Sequence, residues 1–209
     1  MIHPKTEVRF INEKIGYGVV ATDFLPKGTI TWVQDSLDRI FPLEEAEGFP
    51  KVQKEILDKF SFTNSKGEKV LCWDNAKFVN HSFRPSCFST AYDFEIAIRD
   101  IYPGEELTDD YGYLNIEEPF VAMDEGHERK IVYPDDLLTY YKEWDAMILG
   151  CLPFIYDVEQ ALLPILPAST RIEIEKLKND PSNMRSLLEC YYPKPLTIQD
   201  HADYGYETK

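Results

Sequence analysis

Gly104-Glu105-Glu106-Leu107-Thr108-Asp109-Asp110-Tyr111-Gly112-Tyr113 closes a β-rich stretch of the chain, and Phe78-Val79-Asn80-His81-Ser82-Phe83-Arg84-Pro85-Ser86-Cys87 lies upstream of it. In the upstream segment three polar residues follow the apolar pair Phe78-Val79, where a strand should end. Taken alone, this reads as a turn built on an Asn or Ser side chain. His81 near Cys87 also raises a nucleophile or metal ligand, but no second His or carboxylate stands at ligand spacing. Taken alone, the Tyr111/Tyr113 pair reads as core packing or a hydrogen-bonded corner. A third segment, Ile15-Gly16-Tyr17-Gly18-Val19, lacks the third glycine and following helix of a dinucleotide fingerprint. It reads as a turn between strands whose glycines let the backbone approach a ligand closely.

Outward from these segments the first third is β. Val8–Ile11, Gly18–Thr22 and Thr29–Val33 are rich in β-branched residues, with Pro26-Lys27-Gly28 as a turn. Residues 42–60 change character: Val52, Ile56, Leu57 and Phe60 share one helical face, and Lys51, Glu55 and Asp58 face out. Asn64–Gly67 predicts a hairpin turn into Val70–Trp73. Cys87–Tyr92 and Phe94–Ile98 flank a tight connection, and Pro103-Gly104 turns the chain into Leu107-Thr108. From Tyr133 the pattern is helical, with Asp135 and Asp136 suited to an N-terminus. Thr170-Arg171-Ile172-Glu173 predicts a capping box, and Asp180-Pro181 an N-cap followed by proline. The tail after Pro193 reads as polar and extended.

The 209 residues suffice to bury a core without disulfides or metals. With 22 basic and 37 acidic residues the formal charge is −15. That argues against non-specific nucleic-acid binding, which needs basic patches, and against anionic membrane surfaces. It suits a Lys-rich partner, or simply keeps the protein soluble. No run approaches the roughly 18 apolar residues of a spanning helix. The first residues form no signal-peptide core, so the expectation is a cytoplasmic protein, with leaderless secretion left open. Cys72, Cys87, Cys151 and Cys190 form no CxxC or CxC pair and read as buried thiols.

Together and in this order, the three segments resemble the SET-domain protein-lysine methyltransferases. That family carries a G-x-G, then N-H-S-x-x-P, then G-E-E-L-T-x-D-Y. Here these are Gly16-Tyr17-Gly18, Asn80-His81-Ser82-Phe83-Arg84-Pro85 and Gly104 to Tyr111. The resemblance spans residues 7–115. It implies a mainly β fold with helices, built of small curved sheets. The Asn80 and Tyr111 segments would be threaded as a pseudoknot. On this basis residues 1–115 form the domain, with an insert at about 42–73 shaping a peptide groove. Residues 116–209 form a helical C-terminal extension ending in the polar tail. The implied cofactor is S-adenosylmethionine, held by Gly16, Tyr17, Gly18, Asn80, His81 and Tyr111, with Tyr111 also catalytic. The implied activity is methyl transfer to a lysine ε-amine of a basic protein or peptide, histone-like or otherwise, with no nucleic acid and no membrane.

Two departures from the family pattern shape further expectations. Phe120–Val132 contains none of the cysteines that bind zinc in many members, so no metal is expected. Closure over the cofactor then falls to the apolar stretch Leu137–Leu166 or to Tyr191-Tyr192. Ser89 stands where some members place a channel tyrosine, which leaves Phe88 or Tyr92 as channel residues. Tyr113 is a further channel candidate, with core packing as its alternative. The lost cysteines also admit a non-catalytic SET-fold protein-binding module. A small-molecule amine acceptor is a third reading.

Overall fold

The computed structural model describes residues 1–193; the extended tail expected beyond Pro193 lies outside the described residues. In chain order the strands and helices are β1 (Thr6–Asn12), β2 (Gly16–Ala21), β3 (Ile30–Val33), β4 (Arg39–Phe41), α1 (Leu43–Glu47), α2 (Lys51–Phe60), β5 (Ser61–Thr63), β6 (Lys69–Leu71), β7 (Asn80–His81), β8 (Cys87–Ser89), β9 (Phe94–Ala97), β10 (Glu106–Asp109), β11 (Phe120–Val121), β12 (Ile131–Val132), α3 (Asp136–Leu149) and α4 (Ala168–Leu177). Short 3-10 turns join many of them. The described strands form small sheets in the orders β1-β2-β10-β7, β3-β9-β8, β4-β6-β5 and β11-β12. Small sheets with appended helices make up the mainly β architecture with helices that the sequence led one to expect.

Glycines set the turns that the sequence predicts. Gly28, Gly67 and Gly104 have positive φ of 92°, 78° and 89°, where a side chain would be strained. Each permits the reversal into β3, β6 and β10 respectively. Gly28 also has no room for a side chain, since a Cβ there would lie 2.5 Å from that of Phe154.

β10 is the keystone strand. It pairs antiparallel with β2 and parallel with β7, placing Thr108 beside Asn80 and Asp109 beside His81. Parallel neighbours need a crossover, and residues 82–105, carrying β8 and β9, supply it.

The main core lies between the β3-β9-β8 sheet and the C-terminal helices. Phe88, Phe94 and Ile96 pack with Trp144 and Ile148 of α3 and with Leu187. Burying one such phenylalanine is worth about 2–3 kcal/mol. The Gln160 side chain accepts from Ile30 N–H at 2.9 Å and donates to Gly28 C=O at 2.7 Å. Segments before and after residue 115 therefore share one core. The four cysteines are free; Cys72, Cys87 and Cys151 are buried and Cys190 is half-buried.

Local details differ from expectation. On α2 only Leu57 is buried, while Val52 and Ile56 are 71% and 54% exposed; the helix rides over a sheet of three-residue strands too small to cover its apolar face. The capping box at Thr170 does not form. α4 starts earlier, behind Pro167, so Thr170 lies inside the first turn. Asp180 does cap, accepting from Ser182 N–H at 3.2 Å, but heads a 3-10 turn.

Candidate active site

The glycine segment and the Asn80 segment are joined directly. Asn80 Nδ2 donates to the Tyr17 carbonyl at 3.0 Å and to Glu106 at 2.6 Å. Gly18 must be glycine for this contact: a Cβ there would lie 2.2 Å from Glu106 Oε1 and 2.9 Å from Asn80 Nδ2. Gly16, at φ 82°, faces open space, with nothing within 4 Å of a built Cβ. Tyr17 is exposed beside it.

Tyr111 is pinned at both ends to the same segment. Its N–H donates to His81 Nδ1 at 3.1 Å, and its hydroxyl donates to the Val79 carbonyl at 2.5 Å. The neighbouring Asp110 carboxylate accepts from Gly112 N–H at 3.0 Å, fixing the turn that presents Tyr111. Burial, reinforced by the neighbouring carboxyl groups of Asp109, Glu106 and Glu95, pushes the Tyr111 hydroxyl pKa up, so it stays a neutral donor.

Burial, with a smaller contribution from Arg129, lowers the His81 pKa to about 4, although Glu125 pulls the other way. The imidazole is then neutral at pH 7. Because Nδ1 accepts from Tyr111, the hydrogen-bond pattern assigns the proton to Nε2. Nε2 is buried and has no partner. A buried donor of this kind is costly unless a ligand completes it.

A cavity of about 520 Å³ opens beside Tyr111, lined among others by Trp32, Phe62, Val79, Ser89 and Leu114. Residues 58–63, the end of α2 and the strand after it, form one wall. Glu95 and Asp109 line the same cavity.

The three aromatic channel candidates are not in that lining. Phe88 is 1% exposed and packs against Tyr113 and Trp144 at 5.6 and 5.8 Å between ring centres. Tyr92 is buried, stacks on Phe94, and its hydroxyl accepts from Arg185 N–H at 2.8 Å. Tyr113 is buried; its hydroxyl accepts from Ser89 N–H at 3.2 Å and donates to Asp109. For Phe88, on β8, the reason is strand alternation. Phe88 points to the face that α3 covers, and Ser89 to the face that lines the cavity.

The cover over His81 also differs from the expected one. The β11–β12 hairpin lies there: Phe120 meets the His81 ring at 5.5 Å, and His127 stacks on Phe83 at 5.5 Å. Glu125 accepts from Ser82 Oγ at 2.9 Å and from Phe83 N–H at 3.1 Å. Arg129 locks the hairpin down, pairing with Asp110 at 2.5 Å and Asp136 at 2.6 Å. Its guanidinium also lies over Phe83 and Tyr140, at 4.6 and 4.4 Å. By contrast α3 packs on the core, and Tyr192 sits at Asn115 and Gly67. Charged and aromatic residues of 120–132 thus hold this hairpin over His81.

Residues 16–112 match the SET domain family. No curated protein matches the chain. Among solved structures, a Plasmodium falciparum protein described as a candidate histone methyltransferase is similar over 53% of this chain and 95% of its own, at 18% identity and a TM-score of 0.40.

Proposed function

We propose, from the match of residues 16–112 to the SET domain, that the chain transfers a methyl group from S-adenosylmethionine to a lysine ε-amine of a basic protein or peptide. The observation that carries this reading is the convergence on Tyr111: its backbone and hydroxyl are bonded to His81 and Val79, and the adjoining Asn80 is bonded to Tyr17.

The residues present fit the cofactor. Gly16 borders open space, the buried His81 Nε2–H lacks a partner, and Asn80 holds the glycine turn against β10. Gly16, Tyr17, Gly18, Asn80 and His81 would hold S-adenosylmethionine, with Tyr111 at its reactive end. When bound, it supplies a methyl group activated by a sulfonium. The carboxylates near Tyr111 suit positive charge.

The remaining work belongs to the chain. Free lysine has a pKa of about 10.4, and the reaction needs its neutral form. An ammonium that reaches the cavity therefore gives up its proton to water before transfer, which a positive sulfonium nearby would favour. Tyr111, held by Val79, orients the amine lone pair, and alignment supplies much of the rate. Asp58 and Glu118 among the cavity's lining and the overall charge of −15 favour Lys- and Arg-rich segments.

The test is thermal shift with S-adenosylmethionine, followed by incorporation of labelled methyl into a panel of basic peptides and hydrolysis to identify methyl-lysine. A shift and labelled lysine are expected. No shift and no label would defeat the reading; a shift without transfer to any lysine would favour a binding module.

A further inference from the structure

Two buried carboxylates line the cavity beside Tyr111 without a cation to balance them. Asp109 and Glu95 are each 5% exposed. Asp109 Oδ2 is taken by the Tyr113 hydroxyl, which belongs to the core, and Oδ1 has no partner at all. Glu95 accepts from Thr31 Oγ1 at 2.6 Å. Neither appears in any ion pair among the described residues. Lys69, the cation of the lining that is itself buried, is engaged by Glu117 at 2.6 Å and Asp58 at 3.8 Å. A second orphan sits in the same lining: Trp32, 8% exposed, has an Nε1–H with no partner.

Buried charges are normally paired, because an uncompensated one costs several kcal/mol. A cavity holding two such groups and two orphaned polar atoms is built for something that visits. The carboxylates call for a visitor with positive charge and hydrogen-bond donors, while Trp32 Nε1–H, itself a donor, does not bear on that choice. Among the described residues no three His, Cys, Asp or Glu side chains converge to hold a metal ion. The lining joins the apolar Phe62, Val79 and Leu114 to these carboxylates, a composition that suits an alkyl chain with a terminal ammonium.

We propose that Asp109, backed by Glu95, is the specificity-determining group that receives the protonated amine of the acceptor side chain. This rests on the methyl-transfer reading only for what happens next; amine binding itself is separate. Burial, together with the repulsion of Glu95 and Asp110, pushes the Asp109 carboxyl up. That is the condition of an acid lacking its counter-ion. An arriving ammonium draws it into the ionised form, and the displaced proton leaves to water.

The test uses n-butylamine, which copies the end of a lysine side chain, against the neutral 1-butanol. Binding is followed by amide chemical-shift titration of the full chain at pH 7. Wild type should prefer the amine by about tenfold or more, as a charge-assisted hydrogen bond requires. Asp109→Asn keeps an acceptor for Tyr113 and should abolish the preference, whereas Glu143→Gln, on the exposed side of α3 and outside the lining, should retain it. Glu95→Gln, expected to weaken it partly, serves if the Asp109 variant does not fold. No preference in wild type, or a preference kept in Asp109→Asn, overturns the proposal. So would Asp109-dependent displacement of the amine by millimolar magnesium or calcium, which would make the site a metal site. A thermal shift with S-adenosylmethionine is measured in parallel. Its absence, with Asp109-dependent amine binding intact, would defeat methyl transfer and leave the amine site standing.

Discussion

The Tyr111 hydroxyl donates to the Val79 carbonyl at 2.5 Å, one residue before the asparagine that holds the glycine turn. This bond fixes the phenol without help from a ligand, so its position is built into the fold before anything binds.

Removal of that hydroxyl separates its two roles. Tyr111→Phe should leave Val79 C=O unsatisfied and cost about 1 kcal/mol in denaturant unfolding. Turnover should fall by about 100-fold, the usual size of a lost orienting or polarising group. Cofactor affinity should stay within about threefold, since the ring and backbone remain. Turnover equal to wild type would remove the hydroxyl from the chemistry.

The glycine turn gives a second, steric prediction. Gly18→Ala pushes a Cβ into Glu106 and Asn80, whose side-chain ends must move and whose 2.6 Å bond must break. It should therefore behave like Asn80→Ala, weakening S-adenosylmethionine binding by about tenfold for a lost polar clamp. Gly16→Ala meets no atom but sits at φ 82°, so it should cost about 1–2 kcal/mol of stability from backbone strain. Calorimetric titration and unfolding of both variants distinguish the mechanisms; equal cofactor affinity in Gly18→Ala would contradict the clamp.

Arg129 is the only cation bonded to Asp110 and Asp136 in the described structure, with its side chain 13% exposed and theirs 2% and 7%. Arg129→Leu leaves two buried carboxylates unpaired, which should cost about 3–5 kcal/mol. The hairpin over His81 should loosen as well, visible as faster amide exchange across 120–132. A loss below about 1 kcal/mol would mean that the pairs are solvated.

His81 predicts a pH dependence. The unfolded histidine takes a proton near 6.5, whereas the folded one waits until about 4. Between those values the unfolded state binds more protons, so stability falls as pH drops through the window. The full effect is about 3 kcal/mol. Glu125 favours the charged ring and Arg129 opposes it, both being included in that shift. Because the raised Asp109, Asp110 and Asp136 carboxyls act in the opposite sense, the readout is the difference between wild type and His81→Asn, measured by urea unfolding from pH 7 to 4. Parallel pH profiles for the two would refute a neutral buried His81.

The sequence by itself determined the parts that short windows encode. Glycine and proline placed the turns before β3, β6 and β10, because positive φ and fixed φ are local properties. The family resemblance carried by the G-x-G, N-H-S and D-Y segments implied their meeting, and the Asn80–Tyr17 and Tyr111–His81 bonds join them. Only the tertiary structure decided which side of each strand is buried. Phe88 and Tyr92 look like channel aromatics until Trp144 and Arg185, far along the chain, claim them. The α2 face looked like core until its sheet proved too short to cover it. Asp109 occupies the variable position of its motif, and nothing local says that its carboxylate stays buried without a cation. Burial and charge compensation depend on partners distant in sequence, and pairing at that range is made by the folded chain alone.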